Sequence, residues 1–309
     1  MSSELLNSEA VKAQAHRLGF SACGLARPHD IPSEWAAYYE RWLSEGRHAG
    51  MGYLQNHQDL RFHPSLLVPG VRTIVSVALN YHPAGGPTQP GLAWYAQGKD
   101  YHIVMRRLLR QLMETVGGRG RCFVDTAPVL EKYWAWQAGL GFIGRHTQLV
   151  IPCLGSAFFL GELFCTQEAD TYDTPLTSLN PCGHCQRCIE ACPTGAISNR
   201  GMDARRCLSY LTIESHDEEI PVWAAPHLAE CFYGCDRCLR ACPHLHAPSA
   251  EPCQEFRPSQ ELLDMTPQDW LRLTPEQYNT LFRESAVKRA RYEGLKRNLK
   301  PSEGGNTSS

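Results

Sequence analysis

The sequence predicts a layered domain of the α/β or α+β class, followed by a small cysteine-rich domain and a short helical segment. Helical and strand patterns alternate along the first part of the chain, as they do in layered α/β domains. Turn-forming residues at 170–175 indicate a linker, and beyond it cysteine and proline dominate until about Pro252. We therefore divide the chain into four segments: 1–172, 173–252, 253–300, and a disordered tail over 301–309.

Hydrophobic periodicity and terminal signals predict the individual elements. The predicted helices are 8–18, 33–44, 101–116, 129–138, 260–263 and 275–282. The predicted strands, rich in β-branched and apolar residues, are 73–79, 121–124, 148–151 and 157–164. Asp100 is the expected N-cap of the helix 101–116, and Gly139 is the expected C-cap of the helix 129–138.

Composition and charge exclude several classes of protein. With 309 residues, of which 43% are hydrophobic, the chain is long enough to bury a sizeable core. Its apolar stretches fall far short of the roughly 20 residues of a membrane helix, and its N-terminus lacks the pattern of a signal peptide. A formal net charge of −2 argues against a generally basic nucleic-acid-binding surface. We therefore expect a cytoplasmic protein without a membrane partner.

Fourteen cysteines in a chain without an export signal indicate metal binding, because the cytosol keeps most thiols reduced. The first run has the C-x2-C-x2-C-x3-C-P spacing of bacterial ferredoxins, in which three cysteines hold one 4Fe-4S cluster and the fourth holds another: Cys182, Cys185, Cys188 and Cys192. A second run has the same spacing but lacks the first cysteine: Cys235, Cys238 and Cys242. A structural zinc site fits less well, because it usually takes two well-separated C-x2-C pairs.

Cross-ligation assigns the cysteines to two clusters of a ferredoxin-like domain. The first cluster takes Cys182, Cys185, Cys188 and Cys242, and the second takes Cys192, Cys235, Cys238 and one further cysteine. We predict Cys207 as that further ligand, because it lies between the two runs, where the chain wraps around the clusters. Cys231 is the alternative, although it is one residue out of register. The clusters are expected to feed electrons to a reaction in the first domain.

The first domain offers several candidates for that reaction. Asp125 follows the strand 121–124, so either Asp125 or Thr126 caps the next helix, or Asp125 is an acid or base at a strand end. Glu131 and Lys132, early in that helix, either reach the same cleft or lie on a solvated face. The segment 139–144 matches G-x-G-x-x-G, but it follows a helix and precedes a strand, which is the wrong order for a dinucleotide site.

Seven stretches carry a resemblance to a known family: 50–54, 67–70, 95–102, 125–131, 138–144, 207–214 and 233–238. They are similar to epoxyqueuosine reductases, the cobalamin-dependent iron–sulfur oxidoreductases of tRNA queuosine synthesis. The resemblance implies that the first domain binds base-off cobalamin beside the clusters and that reduced cobalt attacks or reduces the epoxide carbon. It implies the product queuosine at the tRNA wobble position, and it supports Cys207 as the outside cluster ligand.

The resemblance also implies roles for individual residues and partners. Asp125 matches the proton donor to the leaving oxygen, a role that burial beside the corrin would favour by raising its pKa. The expected cobalamin-binding residues are Tyr95, Asp100, Tyr101, His102, Gly141 and Gly144. Taken alone, the polar and aromatic members of this set would more often be capping and packing residues. The expected partners are the tRNA substrate and an external electron donor, and the expected state is a monomer.

The chain departs from the usual family pattern at two places. Arg145-His146 stands where Lys-Asn is usual, and His244-Leu245 stands where Trp-Asn is usual. The helical-repeat extension of longer members is absent, so tRNA affinity is expected to depend more on the cluster domain and on residues 283–300, which carry seven basic residues against two acidic ones. That basic segment either contacts phosphate or is a solvated, frayed tail helix.

Three rival functions follow from the same residues. A reductive dehalogenase-like cobalamin and iron–sulfur reductase of a small molecule is the nearest alternative. A non-catalytic electron-transfer protein would bind clusters without a corrin, and a zinc-stabilised RNA-binding module would contain zinc in place of iron and sulfide.

Overall fold

The computed structural model describes residues 5–176, 181–245 and 253–300. The α-helices in these ranges are α1 Ser8–Arg17, α2 Ser33–Ser44, α3 Gln58–Phe62, α4 Pro64–Leu67, α5 Tyr101–Thr115, α6 Glu131–Gln137, α7 Arg187–Glu190, α8 Leu208–Ile213, α9 Arg237–Arg240, α10 Gln260–Leu263, α11 Pro267–Arg272, α12 Pro275–Leu281 and α13 Arg291–Leu299. The strands are β1 Ala22–Ala26, β2 Thr73–Asn80, β3 Gly120–Phe123, β4 Phe142–Ile143, β5 Leu149–Val150, β6 Phe158–Cys165, β7 Ile197–Ser198 and β8 Gly201–Met202. The predicted tail at 301–309 and the predicted boundary at 252 lie outside the described residues.

A four-stranded antiparallel sheet in the order β1-β2-β6-β3 forms the centre of the first domain. β2 and β6 pair along their whole length, from Thr73 opposite Cys165 to Asn80 opposite Phe158. The predicted helices and strands are present, within one or two residues at their ends. Alternation of helix and strand does not determine strand direction, because a helical connection can return the chain to either end of a sheet. The fold is a mixed α and β architecture built on an antiparallel sheet.

Each face of the sheet buries a separate hydrophobic cluster. One face packs Val75, Val77 and Leu163 against α1 and α5. The other face packs Ile74 and Phe164 against α6. Because both faces are covered, every residue of β2 is buried, which explains its continuous apolar sequence.

The turn after α6 confirms the interpretation of the glycine-rich segment. Gly139 has φ +71°, and its N–H donates to the Trp136 carbonyl at 2.9 Å, as expected of the residue that ends a helix. The chain then enters the β4-β5 hairpin. The order helix, glycine turn, strand is therefore the reverse of a dinucleotide-binding loop.

The C-terminal segment packs into the molecule. α11, α12 and α13 contribute Trp270, Phe282 and Leu295 to a cluster that also buries Phe232 and Tyr233 of the cysteine-rich domain. Capping boxes begin α11 and α12. The prediction of a frayed tail helix is wrong for residues 291–299, because these apolar contacts bury one face of α13.

Arg297 in α13 is 8% exposed and acts as a buried clamp. Its guanidinium donates to the carbonyl oxygens of Leu211 at 2.7 Å, Ser215 at 3.0 Å and Asp217 at 2.7 Å, all in or just after α8. Burial lowers the pKa of this guanidinium, yet these three carbonyls and Oδ1 of Asn298, which accepts from Nε at 3.2 Å and from Nη2 at 2.9 Å, keep it paired. One of the seven basic residues of the segment 283–300 is therefore buried in a structural role and does not contact phosphate.

We expect Arg297→Ala to lower the free energy of unfolding by about 3 kcal/mol, because it leaves buried carbonyl oxygens without donors. Guanidinium denaturation of the purified chain measures this change. Arg283→Ala is the matched control, since Arg283 is an exposed basic residue of the same segment. Its expected change is within about 0.5 kcal/mol. Equal losses in the two variants would contradict the clamp.

Among the residues that the structure describes, no helix combines the length and apolar character needed to cross a lipid bilayer.

Candidate active site and cysteine runs

Asp125 lies in the loop between β3 and α6, and its side chain is 57% exposed. Its Oδ2 accepts a hydrogen bond from the Tyr101 hydroxyl at 2.9 Å and lies 3.2 Å from Nε2 of His102. Tyr101 and His102 form the first turn of α5, and Asp100 caps that helix by accepting from the His102 N–H at 2.9 Å. The structure therefore joins Asp125 to three residues of the segment 95–102.

The alternative role of Asp125 as a helix cap is wrong. α6 begins at Glu131, and its N-cap Leu130 makes no side-chain hydrogen bond. The backbone N–H of Asp125 instead donates to the Glu131 carboxylate. Asp125 has φ +54°, a left-handed conformation that costs a non-glycine residue about 1 kcal/mol. The bond to Glu131 and the contacts with α5 hold this strained loop in place.

His102 bridges two carboxylates. Its Nδ1 lies 2.8 Å from Oδ1 of Asp100, and its Nε2 faces Asp125. Burial disfavours charge on the imidazole, but the hydrogen bonds to Asp100 and Asp125 outweigh it and raise the pKa of His102 to about 9. At neutral pH the imidazole is therefore protonated.

The pKa of Asp125 is lowered, mainly by its hydrogen bond with His102 and further by the bond from Tyr101. These bonds to the charged form outweigh the effect of desolvation by the protein. The proton available at this site at neutral pH is consequently held on His102, in contact with Asp125.

Glu131 and Lys132 lie behind the loop at the start of α6. Burial and the negative charge of Asp125 raise the pKa of Glu131 to about 7. Burial lowers the pKa of Lys132, against the attraction of Glu131, Asp125 and Cys238. Both side chains are only partly exposed, so they do not lie on a fully solvated helix face. Through Lys132, the Asp125 loop lies within electrostatic range of the second cysteine run.

Glu162 is a buried group that sequence reasoning missed. It lies in β6 on the face covered by α6, it is 0% exposed, and neither carboxylate oxygen has a hydrogen-bond partner among the described residues. Burial, together with the charge of Glu131, raises its pKa well above the usual range, which favours the neutral carboxyl group. The available signal was a lone acidic residue within the otherwise apolar strand 158–165.

The aromatic residues of the segment 95–102 pack closely. The Tyr101 ring stacks on Phe159 with centroids 4.4 Å apart and on His102 at 4.1 Å. Tyr95 meets the edge of Tyr101 at 6.4 Å and lies 6.3 Å from Tyr233 of the cysteine-rich domain. These contacts fix the first turn of α5 and tie it to the second cysteine run.

Gly141 and Gly144 lie in and beside the β4-β5 hairpin, apart from the Asp125 contacts described above. A Cβ at Gly141 would come within 2.1 Å of the Val150 carbonyl oxygen, so backbone packing requires glycine there. A Cβ at Gly144 would come within 3.1 Å of Cε1 of His146. The structure thus gives both glycines a packing role.

Two buried polar atoms near the hairpin lack hydrogen-bond partners among the described residues: Nε2 of His146 and Oγ of Ser156. Burial lowers the pKa of His146 to about 4, and the positive charge of Lys132 adds to this effect, so the imidazole is neutral at pH 7. Buried unpaired donors and acceptors of this kind are typical of a site that holds a polar ligand. His146 was considered only as a departure from the family pattern.

The two cysteine runs have the same local backbone. α7 begins two residues after Cys185, and α9 begins two residues after Cys235. The two helices pack against each other. The backbone N–H groups of Cys192 and Cys242 each donate at 3.2 Å to the residue three positions earlier. This internal repeat is the arrangement expected for two cross-ligated clusters.

Electrostatic influence divides the thiols into two groups. Burial raises the pKa of Cys188, and Cys182, Cys242 and Cys185 add to the increase. Cys188 thus lies near the fourth member of its predicted group, which belongs to the other run. These four thiols are the ones predicted to hold the first cluster, and that assignment stays a prediction.

The second group is centred on Cys238. Burial raises the pKa of Cys238 to about 12, with further contributions from Cys235, Cys207 and Cys192, in that order, and then from Cys188. The first three of these contributors are the ligands predicted for the second cluster. Thiols of the two runs therefore influence one another in the folded chain.

Cys207 and Cys231 both approach the second group. Cys207 is the N-cap of α8, and burial raises its pKa, with additional effects from Cys235 and Cys192. Cys231 donates to the His227 carbonyl at 3.1 Å and interacts with Cys235. Cys207 thus lies among several predicted ligands, whereas Cys231 already has a backbone acceptor and contacts one of them.

Comparisons with known proteins agree with this arrangement. Residues 181–244 match the family model described as "4Fe-4S double cluster binding domain", and residues 61–126 match "Epoxyqueuosine reductase QueG, DUF1730". The epoxyqueuosine reductase of Cellulophaga algicola is 40% identical to the chain over 97% of the chain and 99% of its own length. The chain belongs to the epoxyqueuosine reductase family. The resemblance identified from the sequence motifs is confirmed.

Solved structures of epoxyqueuosine reductases share the fold. The enzyme from Streptococcus thermophilus matches with a TM-score of 0.82 and 25% identity, over 95% of this chain and 80% of that one. An epoxyqueuosine reductase solved with an epoxyqueuosine-modified tRNA stem loop matches with a TM-score of 0.81 and 24% identity, over the same shares of the two chains. The two family models include Asp125, the first turn of α5 and both cysteine runs.

Proposed function

We propose that this member of the epoxyqueuosine reductase family reduces epoxyqueuosine to queuosine at the wobble position of tRNA. The observation that carries the proposal is the 40% identity to an epoxyqueuosine reductase along nearly the whole of both chains. The reaction adds two electrons and two protons to the epoxide, breaks both C–O bonds, and leaves a carbon–carbon double bond and one water. The protein must therefore deliver both electrons and protons.

Two 4Fe-4S clusters supply the electrons in this proposal. The first is held by Cys182, Cys185, Cys188 and Cys242, and the second by Cys192, Cys207, Cys235 and Cys238. The two electrostatic groups of thiols and the repeated backbone of α7 and α9 support this assignment.

Cobalamin is the second cofactor of the proposal, and when bound and reduced it supplies a nucleophilic cobalt centre. The corrin rim carries amide groups that donate and accept hydrogen bonds, which fits the unpaired polar atoms of His146 and Ser156. These residues would hold the group together with the predicted set Tyr95, Asp100, Tyr101, His102, Gly141 and Gly144. The charge of Lys132 interacts with both Asp125 and Cys238.

Asp125 passes one of the two protons to the leaving oxygen, and its carboxylate receives that proton from His102. The supporting contacts are the 3.2 Å approach of His102 Nε2 to Asp125 and the 2.9 Å bond from Tyr101. The pKa of His102 is raised and that of Asp125 is lowered, so His102 carries the proton at neutral pH. Asp125 therefore need not be protonated before the reaction begins.

Proton delivery is expected to fall as the pH rises through about 9, because His102 loses its proton there. The sign follows from the raised pKa, since the protonated imidazole persists below that value. Single-turnover rates measured from pH 7 to pH 10, with the enzyme reduced beforehand, test this expectation. His102→Gln is the matched variant, because it keeps a hydrogen bond to Asp125 without a titrating group. If the single-turnover rate of His102→Gln still fell as the pH rose through about 9, His102 would be excluded as the source of the proton.

The finer organisation is also part of the proposal. The cobalamin-binding domain spans 1–172, the ferredoxin-like domain spans 173–252, and the basic helical segment spans 253–300. The protein acts as a monomer in the cytoplasm, with an external electron donor and without a membrane partner. The change in composition near residue 170 supports the first boundary.

The deciding experiment is reduction of epoxyqueuosine-containing tRNA under anaerobic conditions. The purified chain, reconstituted with iron, sulfide and cobalamin, is mixed with a strong reductant and the tRNA, and the nucleosides are analysed by mass spectrometry. Conversion of epoxyqueuosine to queuosine is the expected result. A fully loaded protein that leaves the epoxide intact would overturn the proposal.

A further inference from the structure

Tyr53 and Arg289 form an exposed pair near the Asp125 loop. Tyr53 lies in a 3-10 turn at Gly52–Gln55 and is 49% exposed, although most tyrosines of a folded chain are largely covered. Arg289 belongs to another 3-10 turn, at Ala286–Ala290, and its guanidinium carbon lies 5.7 Å from the centre of the Tyr53 ring. The pair therefore presents a partly open aromatic ring with a cation beside it.

Both members of the pair are held in place. Glu214, just after α8, accepts two hydrogen bonds from Arg289, at 2.9 Å and 2.7 Å, in the bidentate geometry that fixes a guanidinium. The backbone before Tyr53 is tied to α8 by the bond from the Gly50 N–H to the Tyr210 hydroxyl at 2.9 Å. The residue after it is tied to α2 by the Tyr39 hydroxyl, which donates to the Leu54 carbonyl at 2.8 Å. The ring is thus preorganised by three distant segments.

The pair lies near the Asp125 site, because the Glu284 carbonyl, just before the turn that carries Arg289, accepts from the N–H of Asp100 at 2.6 Å. Burial and the charge of Glu214 raise the pKa of Tyr53 to about 12, and the charge of Asp125 contributes to the increase. The positive charge of Arg289 adds to the effect of His102 in lowering the pKa of Asp125. The phenol of Tyr53 therefore remains neutral beside the reaction site, and its ring is the part that offers binding area.

We propose that the Tyr53 ring stacks against a nucleobase adjacent to the modified nucleoside in the anticodon loop, and that Arg289 holds the ring and faces the RNA backbone. A wobble nucleoside that reaches Asp125 must leave its stack, so its neighbour loses a stacking partner. An aromatic side chain restores that stacking without demanding a particular base, and an adjacent arginine adds charge attraction. This inference rests on the proposed function, since it assumes that the substrate is a nucleoside within RNA.

Binding of an unmodified anticodon stem loop tests the inference without requiring turnover. The full chain is titrated into a fluorescently labelled stem loop, and the dissociation constant is measured by anisotropy at one fixed salt concentration. Tyr53→Ala is expected to weaken binding by about tenfold, whereas Tyr53→Phe, which keeps the ring, is expected to remain within about twofold. Tyr38→Ala is the matched control, because Tyr38 is 40% exposed in α2 and has Arg41 at 5.8 Å.

The outcomes separate this inference from the proposed function. Wild-type affinity in Tyr53→Ala would overturn the stacking role, as would equal losses in Tyr53→Ala and Tyr53→Phe, or an equal loss in Tyr38→Ala. A 2-aminopurine placed beside the wobble position gives a second readout, because its fluorescence is expected to be quenched on binding by wild type and less by Tyr53→Ala. If the wild-type chain reduces epoxyqueuosine tRNA while Tyr53→Ala keeps its affinity, the stacking proposal alone fails.

Discussion

Replacement of Asp125 by asparagine is expected to lower single-turnover reduction of epoxyqueuosine tRNA by about 10²- to 10⁴-fold. Asparagine has the same shape and tolerates the left-handed backbone at this position, so the loop and its bond to Glu131 should persist. It cannot pass a proton to the leaving oxygen as a carboxyl group does. Asp125→Ala is expected to show a similar loss, with additional disorder of the loop.

The control for Asp125→Asn is cofactor content. Iron, acid-labile sulfide and the absorbance of bound cobalamin should equal those of the wild-type chain, because the predicted ligands do not include Asp125. Tyr101→Phe removes the other hydrogen bond to the carboxylate and should cost less than the asparagine variant, since His102 still contacts Asp125. Turnover within about twofold of wild type in Asp125→Asn would remove Asp125 from the mechanism.

Replacement of Cys207 by alanine is expected to remove about half of the iron, from about eight atoms per chain to about four, because the second cluster loses a ligand. The first cluster should remain, since its four predicted ligands are intact. Iron and sulfide analysis after anaerobic reconstitution measures the content, and electron paramagnetic resonance of the reduced protein counts the clusters. Turnover should be abolished if electrons pass through both clusters.

Cys231→Ala is the matched comparison for Cys207→Ala. Both thiols approach Cys235, but Cys231 also donates to the His227 carbonyl, as a small buried side chain does. Full iron content is expected in Cys231→Ala. The opposite pattern, with the loss in Cys231→Ala and full content in Cys207→Ala, would reverse the assignment.

Local signals predicted much of the fold. Asp100 accepts the hydrogen bond expected of a helix cap, and Gly139 adopts the positive φ expected after a helix. The main helices and strands of the first domain were predicted because each has a clear hydrophobic period. The direction of the strands and the packing of α13 depend on contacts between distant residues, and no short segment encodes these.

The candidate site was predicted unevenly for the same reason. Cysteine spacing is local, so the two runs were visible in the sequence. Asp125 was ambiguous, because its contacts with Tyr101 and His102 join residues more than 20 positions apart. Glu162 and His146 were missed as candidates, because only the folded structure shows that their polar atoms are buried without partners among the described residues. The lowered pKa of Asp125 likewise depends on the tertiary approach of His102.

The clamp formed by Arg297 has a consequence for biosynthesis of the protein. Arg297 holds the carbonyl end of α8, and Cys207 is the N-cap at the opposite end of that helix. Arg297 leaves the ribosome 86 residues after Leu211, and domains generally fold from the N-terminus as they emerge. The helix that follows Cys207 therefore lacks this support until α13 has emerged, so insertion of the second cluster should follow synthesis of α13. A chain truncated before α13 should accept that cluster poorly even though every cysteine is present.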